Sequence, residues 1–321
     1  VAYLVKKEKA DAGVMISASH NSMEFNGIKL FSSTGYKLSD DVEEEIERLI
    51  LDNPEEIKLS SHGDIGRISV FEGAKDEYID YIASCVNTSF KGKKIALDCA
   101  NGSASATAKK LFEKLGAEVI VLSNTPDGTN INKNCGSTHM QELLEFVPAN
   151  KCDCGFAFDG DADRCLEVDE NGDLIDGDQL IAIAAKAYKE ENKLANDTAV
   201  VTVMSNLGFF HFAKANGIKV VAANVGDRYV LERMLKDGYN IGGEQSGHVI
   251  FLDYATTGDG ELSGVQLLEA VVKSGKKLSE LAKIMKVYPQ VLINVKVTPE
   301  GKKKYNNDEY IISAVQQAEM E

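Results

Sequence analysis

The sequence predicts an α/β protein made of consecutive domains, each a mainly parallel sheet covered by helices on both faces. Three observations predict it. Short apolar runs alternate with amphipathic stretches through the middle of the chain, the helical stretches end at Gly116, Gly217 and Gly238, and the strand–helix–strand order occurs twice, on either side of an acidic segment at 159–178. Parallel pairing needs a crossover between strands, and a helix supplies it while covering the sheet.

Taken in order, an apolar run at 13–16 reads as a strand that ends in a polar turn. Val42, Ile46, Leu49 and Ile50 then recur at helical spacing, and Asp40 with Glu43 resembles a capping box, so 39–52 reads as an amphipathic helix. Pro54, Ser60, Ser61, Gly63 and Gly66 mark 53–73 as a polar linker with a domain boundary near residue 70. Tyr78, Ile79, Ile82, Cys85 and Val86 mark a helix, and a buried strand at 94–98, a helix at 104–115 and a strand at 117–123 follow. The second set is a strand at 199–204, a helix at 207–216, a strand at 218–223 and a helix at 227–236. After Pro289 an extended run to Val297 precedes a polar helical segment at 299–321. The expected division is 1–72, 73–174, 175–288 and 289–321, the last only begun.

A length of 321 residues suits two or three domains, and 44% hydrophobic with 26% charged residues excludes a disordered or low-complexity chain. Lys and Arg total 35 against 50 for Asp and Glu, and the net charge of −15 opposes nucleic acid and anionic membrane. No apolar run approaches the roughly 20 residues needed to span a bilayer, and no leader pattern opens the chain, so a soluble, cytoplasmic protein is expected. The six cysteines, Cys85, Cys99, Cys135, Cys152, Cys154 and Cys165, are scattered and are expected to be reduced. Cys152 and Cys154 lack the second pair that a soft-metal site requires.

Three stretches carry chemistry. Ile16-Ser17-Ala18-Ser19-His20-Asn21 presents a hydroxyl at a strand end, either as a nucleophile or as a turn whose side chains cap the backbone. Asp159-Gly160-Asp161-Ala162-Asp163-Arg164 lies between the apolar runs 155–158 and 166–168, and its alternating carboxylates can converge on a hard divalent cation. An EF-hand would need glycine where Arg164 stands and helices on its flanks, whereas these flanks read as strands with a hairpin at Asn171-Gly172. Gly242-Gly243-Glu244-Gln245-Ser246-Gly247-His248 combines backbone freedom with the acceptors and donors that sugar hydroxyls require.

In this order the three stretches resemble the serine, metal and sugar loops of the α-D-phosphohexomutase superfamily. Pro126-Asp127-Gly128, Asn130-Ile131-Asn132 and Cys135-Gly136-Ser137-Thr138-His139 extend the resemblance, and with Gln245 they look closest to the bacterial phosphoglucosamine mutase branch. The resemblance implies three-layer α/β/α domains with mixed, mainly parallel sheets. It implies Ser19 as the phosphoryl-bearing serine, Asp159, Asp161 and Asp163 with Ser19 as ligands of one Mg²⁺, and Glu244 and Ser246, with Gln245 and His248, as sugar-binding residues. Lys29 is the candidate general acid/base, and His20 and Arg164 add hydrogen bonds or charge.

The implied reaction interconverts glucosamine 6-phosphate and glucosamine 1-phosphate through a bisphosphate. A glucose or glucosamine bisphosphate serves as primer, and the product feeds UDP-N-acetylglucosamine and cell-wall precursor synthesis. The expected partner is a small-molecule sugar phosphate, with no nucleic acid and no membrane; a homodimer is left open. Two departures stand out. Ser22 replaces a proline usual in the serine loop, and no Ser-Gly-Thr phosphate-binding loop occurs among the five arginines Arg48, Arg67, Arg164, Arg228 and Arg233. With the chain opening at Val1, the expectation is a protein lacking the start of the first domain and most of a fourth. The competing readings are a phosphomannomutase or phosphoglucomutase, a noncatalytic sugar-phosphate-binding fragment, and, more distantly, a metal-dependent phosphatase.

Overall fold

A computed structural model describes residues 1–293 and 295–320. Asn294 and Glu321, which fall in the expected extended run and terminal helix, lie outside the described residues. The chain divides into two compact units, Val1–Val287 and Tyr288–Glu321.

The first unit begins with α1 (Ala2–Glu8), the antiparallel hairpin β1 (Ala12–Ile16) and β2 (Ile28–Ser32), and α2 (Asp40–Glu47). The expected helix at 39–52 changes to a wider turn at Arg48–Asp52, and Ser39 rather than Asp40 stands at its start without a side-chain cap. Its apolar face is unburied, with Val42 and Ile50 exposed.

Next come α3 (Ala74–Ser84), β3 (Lys94–Asp98), α4 (Ala108–Lys114), β4 (Glu118–Leu122), α5 (Gln141–Ala149), β5 (Cys154–Phe158), β6 (Cys165–Asp169) and β7 (Leu174–Ile175). They build a five-stranded sheet in the order β4-β3-β5-β6-β7, parallel at β4, β3 and β5 and antiparallel from β5 onward. The expected helix at 104–115 is broken at Thr107, whose φ of −131° leaves the helical region and whose hydroxyl donates to Glu261.

The rest of the unit is α6 (Gly177–Glu190), β8 (Thr198–Thr202), α7 (Leu207–Ala215), β9 (Lys219–Ala223), α8 (Asp227–Asp237), β10 (Ile241–Gly243), β11 (Val249–Phe251), α9 (Gly260–Ser274) and α10 (Leu278–Ala282). The second sheet runs β11-β10-β8-β9, with only β11 antiparallel. The expected alternation is therefore present, in mixed sheets that are parallel from β4 to β5 in the first and from β10 to β9 in the second and antiparallel beyond.

Both α6 and α9 are buried along most of their length, and α9 packs on β5 and β6 of one sheet and β11 of the other. Gly264 lets α9 approach the stacked rings of Phe112 and Phe156, whose centroids are 5.3 Å apart; a Cβ there would lie 3.1 Å from Phe112. Each such buried side chain contributes roughly 1.5–3 kcal/mol. Asp176 and Gln179 form a reciprocal capping box that starts α6 where β7 delivers the chain.

The second unit contains α11 (Pro299–Lys304) and α12 (Glu309–Met320). Thr298 caps α11 by accepting from Gly301 N, with proline at the first helical position. No helix among the described residues is long and apolar enough to cross a membrane.

Candidate active site

Two hairpins supply the centre of the site. The register of β1 and β2 closes at Ile16↔Ile28, and Ser17 N donates to Gly27 O at 2.9 Å, so residues 17–27 form one connecting loop. The register of β5 and β6 closes at Phe158↔Cys165, which leaves 159–164 as the acidic loop. Ser19 Oγ donates to Asp159 Oδ2 at 2.8 Å across 140 positions of sequence. Ser19 sits at φ 55°, a left-handed conformation that costs a non-glycine residue roughly 1–2 kcal/mol and needs support from its surroundings.

Asp159, Asp161 and Asp163 each present an oxygen within 4.8 Å of the others. Lys29 on β2 bridges Asp161 and Asp163, lying 3.0 Å from Asp163 Oδ2. The second oxygens of Asp161 and Asp163 are buried without a protein partner. Hard carboxylate donors with such orphaned oxygens fit a Mg²⁺-type cation, and Ser19 Oγ is positioned to complete the set. Burial, then the charges of Asp163 and Asp161, push Asp159 up to about 7. Burial also works to raise Asp163, but His248 and Lys29 beside it outweigh that and hold it well below the carboxylate range. Burial works against the Lys29 ammonium, and the two carboxylates reverse the balance and raise it.

Arg164 Nη1 donates to His20 Nδ1 at 3.0 Å, and Arg164 N donates to Asp159 Oδ1 at 3.2 Å. Burial and the Arg164 charge lower His20, which favours a neutral ring.

The third loop joins the same region from β10 and β11. Gly247 sits at φ 90° with its Cβ direction blocked 2.2 Å away by Cys165 O, and Cys165 N donates to Gly247 O at 3.1 Å. Glycine is required for that approach. Glu244 is half-buried and accepts from Gly226 N at 2.9 Å, while Ser246 is exposed.

The other two expected sugar-binding residues of this loop have protein partners. Gln245 turns its amide onto Asp176 Oδ2 at 3.0 Å, the residue that starts α6. His248 is only 2% exposed and is enclosed between Asp163, at 3.6 Å, and Asp227, at 3.5 Å. Its Nε2 accepts from Gly258 N at 3.2 Å, which leaves the ring hydrogen on Nδ1 facing Asp163.

Sequence reasoning passed over Lys37, which pairs with Asp227, and Asn132, which donates to the backbone of the serine loop. The Asn130-Ile131-Asn132 segment was visible, but its target lies 113 positions away. A cavity of about 590 Å³ lies beside Lys29, Asp161 and Asp163, and neither Ser19, Glu244 nor Ser246 lines it.

The chain matches three family models: phosphoglucomutase/phosphomannomutase α/β/α domain I over residues 1–56, domain II over 76–172 and domain III over 176–288. It is 56% identical to the phosphoglucosamine mutase of Acetivibrio thermocellus over 321 residues, covering 100% of this chain and 72% of that protein. Against the phosphoglucosamine mutase of Caldicellulosiruptor saccharolyticus identity is 57%, covering 99% and 71%.

A solved phosphoglucomutase/phosphomannomutase family protein from Burkholderia thailandensis superposes with a TM-score of 0.74 at 25% identity, covering 88% of this chain and 59% of that one. The N-acetylphosphoglucosamine mutase of Aspergillus fumigatus, solved with GlcNAc-6P and magnesium, shares the fold with a TM-score of 0.65 at 17% identity, covering 90% and 76%.

Proposed function

The chain belongs to the phosphoglucosamine mutases of the phosphoglucomutase/phosphomannomutase family, and on that footing we propose that it interconverts glucosamine 6-phosphate and glucosamine 1-phosphate through a phosphoserine at Ser19. The observation that carries this reading is the hydrogen bond from Ser19 Oγ to Asp159, one of three clustered carboxylates contributed by a separate hairpin. In the first half of the reaction the Oγ–phosphorus bond of phosphoserine breaks as a sugar hydroxyl oxygen bonds to phosphorus, its proton passing to a base while Oγ takes one up. The resulting bisphosphate turns over. In the second half Ser19 Oγ gives up its proton and bonds to phosphorus as the other sugar oxygen–phosphorus bond breaks and that oxygen is protonated. A glucose or glucosamine bisphosphate primes the first cycle.

Asp159, Asp161, Asp163 and the serine oxygen would hold one Mg²⁺, and the chemistry it supplies when bound is neutralisation of charge on the phosphoryl oxygens. Lys29 Nζ holds a proton between Asp161 and Asp163 and remains the acid/base candidate. The Arg164 guanidinium and the neutral His20 ring offer further donors next to Ser19. Glu244 and Ser246 supply the sugar-hydroxyl contacts. Gln245 and His248 belong to the same sugar-binding loop, Gln245 anchored on Asp176 and His248 facing Asp163. The same reading carries domain boundaries after residues 72, 174 and 288. The six buried, unpaired cysteines support a reducing, cytoplasmic setting.

Phosphorus NMR with Mg²⁺, a trace of bisphosphate and either glucosamine 1-phosphate or glucose 1-phosphate tests the proposal. The 6-phosphate should appear mainly from the amino sugar and not with Ser19→Ala. Preference for glucose 1-phosphate would overturn the substrate assignment, and turnover that survives Ser19→Ala would overturn the phosphoserine.

A further inference from the structure

We infer that Asn132 is the positioning residue that fixes where Ser19 meets phosphorus, an assignment that rests on the mutase reading above. Its Nδ2 donates to Ser19 O and to Asn21 O, both at 2.8 Å, so one amide grips the backbone on both sides of His20. An amide nitrogen carries two hydrogens, and here each has its own carbonyl. Asn132 is 4% exposed, and its own N–H donates to Ala100 O at 2.9 Å, which ties it to the loop after β3. It adopts φ 54°, a left-handed conformation that asparagine tolerates better than most residues. Gly160 of the acidic loop makes the approach possible, because a Cβ there would lie 2.6 Å from Ser19 O and 2.8 Å from Asn132 Nδ2.

Besides Asn132, the serine loop is tied to the acidic loop by two side chains, the exposed His20, whose Nδ1 accepts from Arg164 Nη1 at 3.0 Å, and Ser19 itself. Its internal hydrogen bonds, Ser19 N to Ser17 Oγ and Asn21 N to Ala18 O, shape the loop without fixing it against Asp159. The bond from Ser19 Oγ to Asp159 does fix it, but that bond uses the hydroxyl hydrogen, which phosphorylation removes. The contacts from Asn132 involve only main-chain oxygens and therefore persist through both halves of the cycle. An error near 1 Å in the reacting atoms is worth about 100-fold in rate.

Two variants of the full chain test this. Asn132→Gly keeps the left-handed backbone accessible and deletes the donors; Asn132→Asp keeps the shape and sets an acceptor against two carbonyls. Hydrogen exchange over 17–27 and Ser19 phosphorylation by glucose 1,6-bisphosphate with Mg²⁺, followed by intact mass, are the readouts. In Asn132→Gly, exchange in the loop should accelerate while β3 and β5 stay protected. The maximal phosphorylation rate should fall about 100-fold, with the half-saturating bisphosphate concentration within about threefold of wild type. Asn132→Asp should be at least as impaired. Unchanged exchange at 17–27, faster exchange with a wild-type phosphorylation rate, or a loss that tracks unfolding of β3 and β5 would each overturn the assignment. A wild-type chain that takes no phosphate on Ser19 would overturn the mutase reading together with it, whereas failure confined to the variants overturns the Asn132 assignment alone.

Discussion

Lys29 and Asp163, 134 positions apart in sequence, meet at 3.0 Å, and the same ammonium also reaches Asp161. The acidic loop therefore carries its own cation, tethered to β2.

Removing that tethered charge should separate metal affinity from chemistry. In Lys29→Met the carboxylates no longer share their charge with an ammonium, and Mn²⁺ should bind at least about tenfold more tightly, because a unit charge a few ångströms from a divalent ion is worth about 2 kcal/mol even at the dielectric of water. Phosphorylation of Ser19 should slow in the same variant. Calorimetric titration with Mn²⁺ reads the first effect, and weaker binding would show that Lys29 organises the loop instead of competing for it.

Gly160→Ala should disturb two loops at once. The added methyl would press on Ser19 O and Asn132 Nδ2, and relieving such overpacking typically costs about 1–3 kcal/mol. Urea denaturation should show that loss, and the variant should take up phosphate on Ser19 more slowly. A variant of wild-type stability and rate would mean the loops part at no cost.

Buried acids set a pH dependence of stability. Burial pushes Glu261 from 4.5 up to about 8 and Asp178 from 3.8 up to about 6. Between the unfolded and folded values the folded chain binds the extra proton, so stability falls as pH rises through that window. For Asp178 the loss ends near pH 6; for Glu261 it continues to about 8. Between pH 6.5 and 7.5 the stability gap between wild type and Glu261→Gln should therefore change by about 1.4 kcal/mol, with the variant gaining as pH rises. Denaturation curves at several pH values measure it; parallel profiles would show that Glu261 is ionised in the fold.

Tyr78 ties α3 to the start of α9. Its hydroxyl donates to both oxygens of Asp259, at 2.9 Å each, while Asp259 Oδ1 accepts from Leu262 N at 3.0 Å. Tyr78→Phe leaves a buried carboxyl short of a partner and should cost about 1–3 kcal/mol. Chemical denaturation reads it directly, and a neutral result would show that the backbone donors alone satisfy Asp259.

What was legible in the sequence follows from the range of each interaction. The alternation of β3, α4 and β4, and of β8, α7 and β9, is written in local periodicity, and so are the strands flanking the acidic loop. The meeting of Ser19 with Asp159 was expected only through resemblance, since no local pattern joins residues 140 positions apart. Breaks and burials set by distant partners were not legible. The helix at 104–115 is interrupted because Thr107 reaches Glu261, 154 positions on. His248 looks like an open loop residue until Asp163 and Asp227 close around it. The periodicity of 39–52 marks an apolar stripe across α2 and the wider turn that follows it, yet Val42 and Ile50 are exposed, because periodicity states which face is apolar and not what covers it.

The acidic loop joins two antiparallel strands instead of leading from a strand into a helix. Five facing pairs, from Cys154↔Asp169 to Phe158↔Cys165, fasten both of its ends. In a slack segment three like charges would swing apart, and an arriving ion would have to gather them again. Here the ladder refuses that escape, so the work of crowding the carboxylates together is done once, when the chain folds, and no visiting ion has to repeat it.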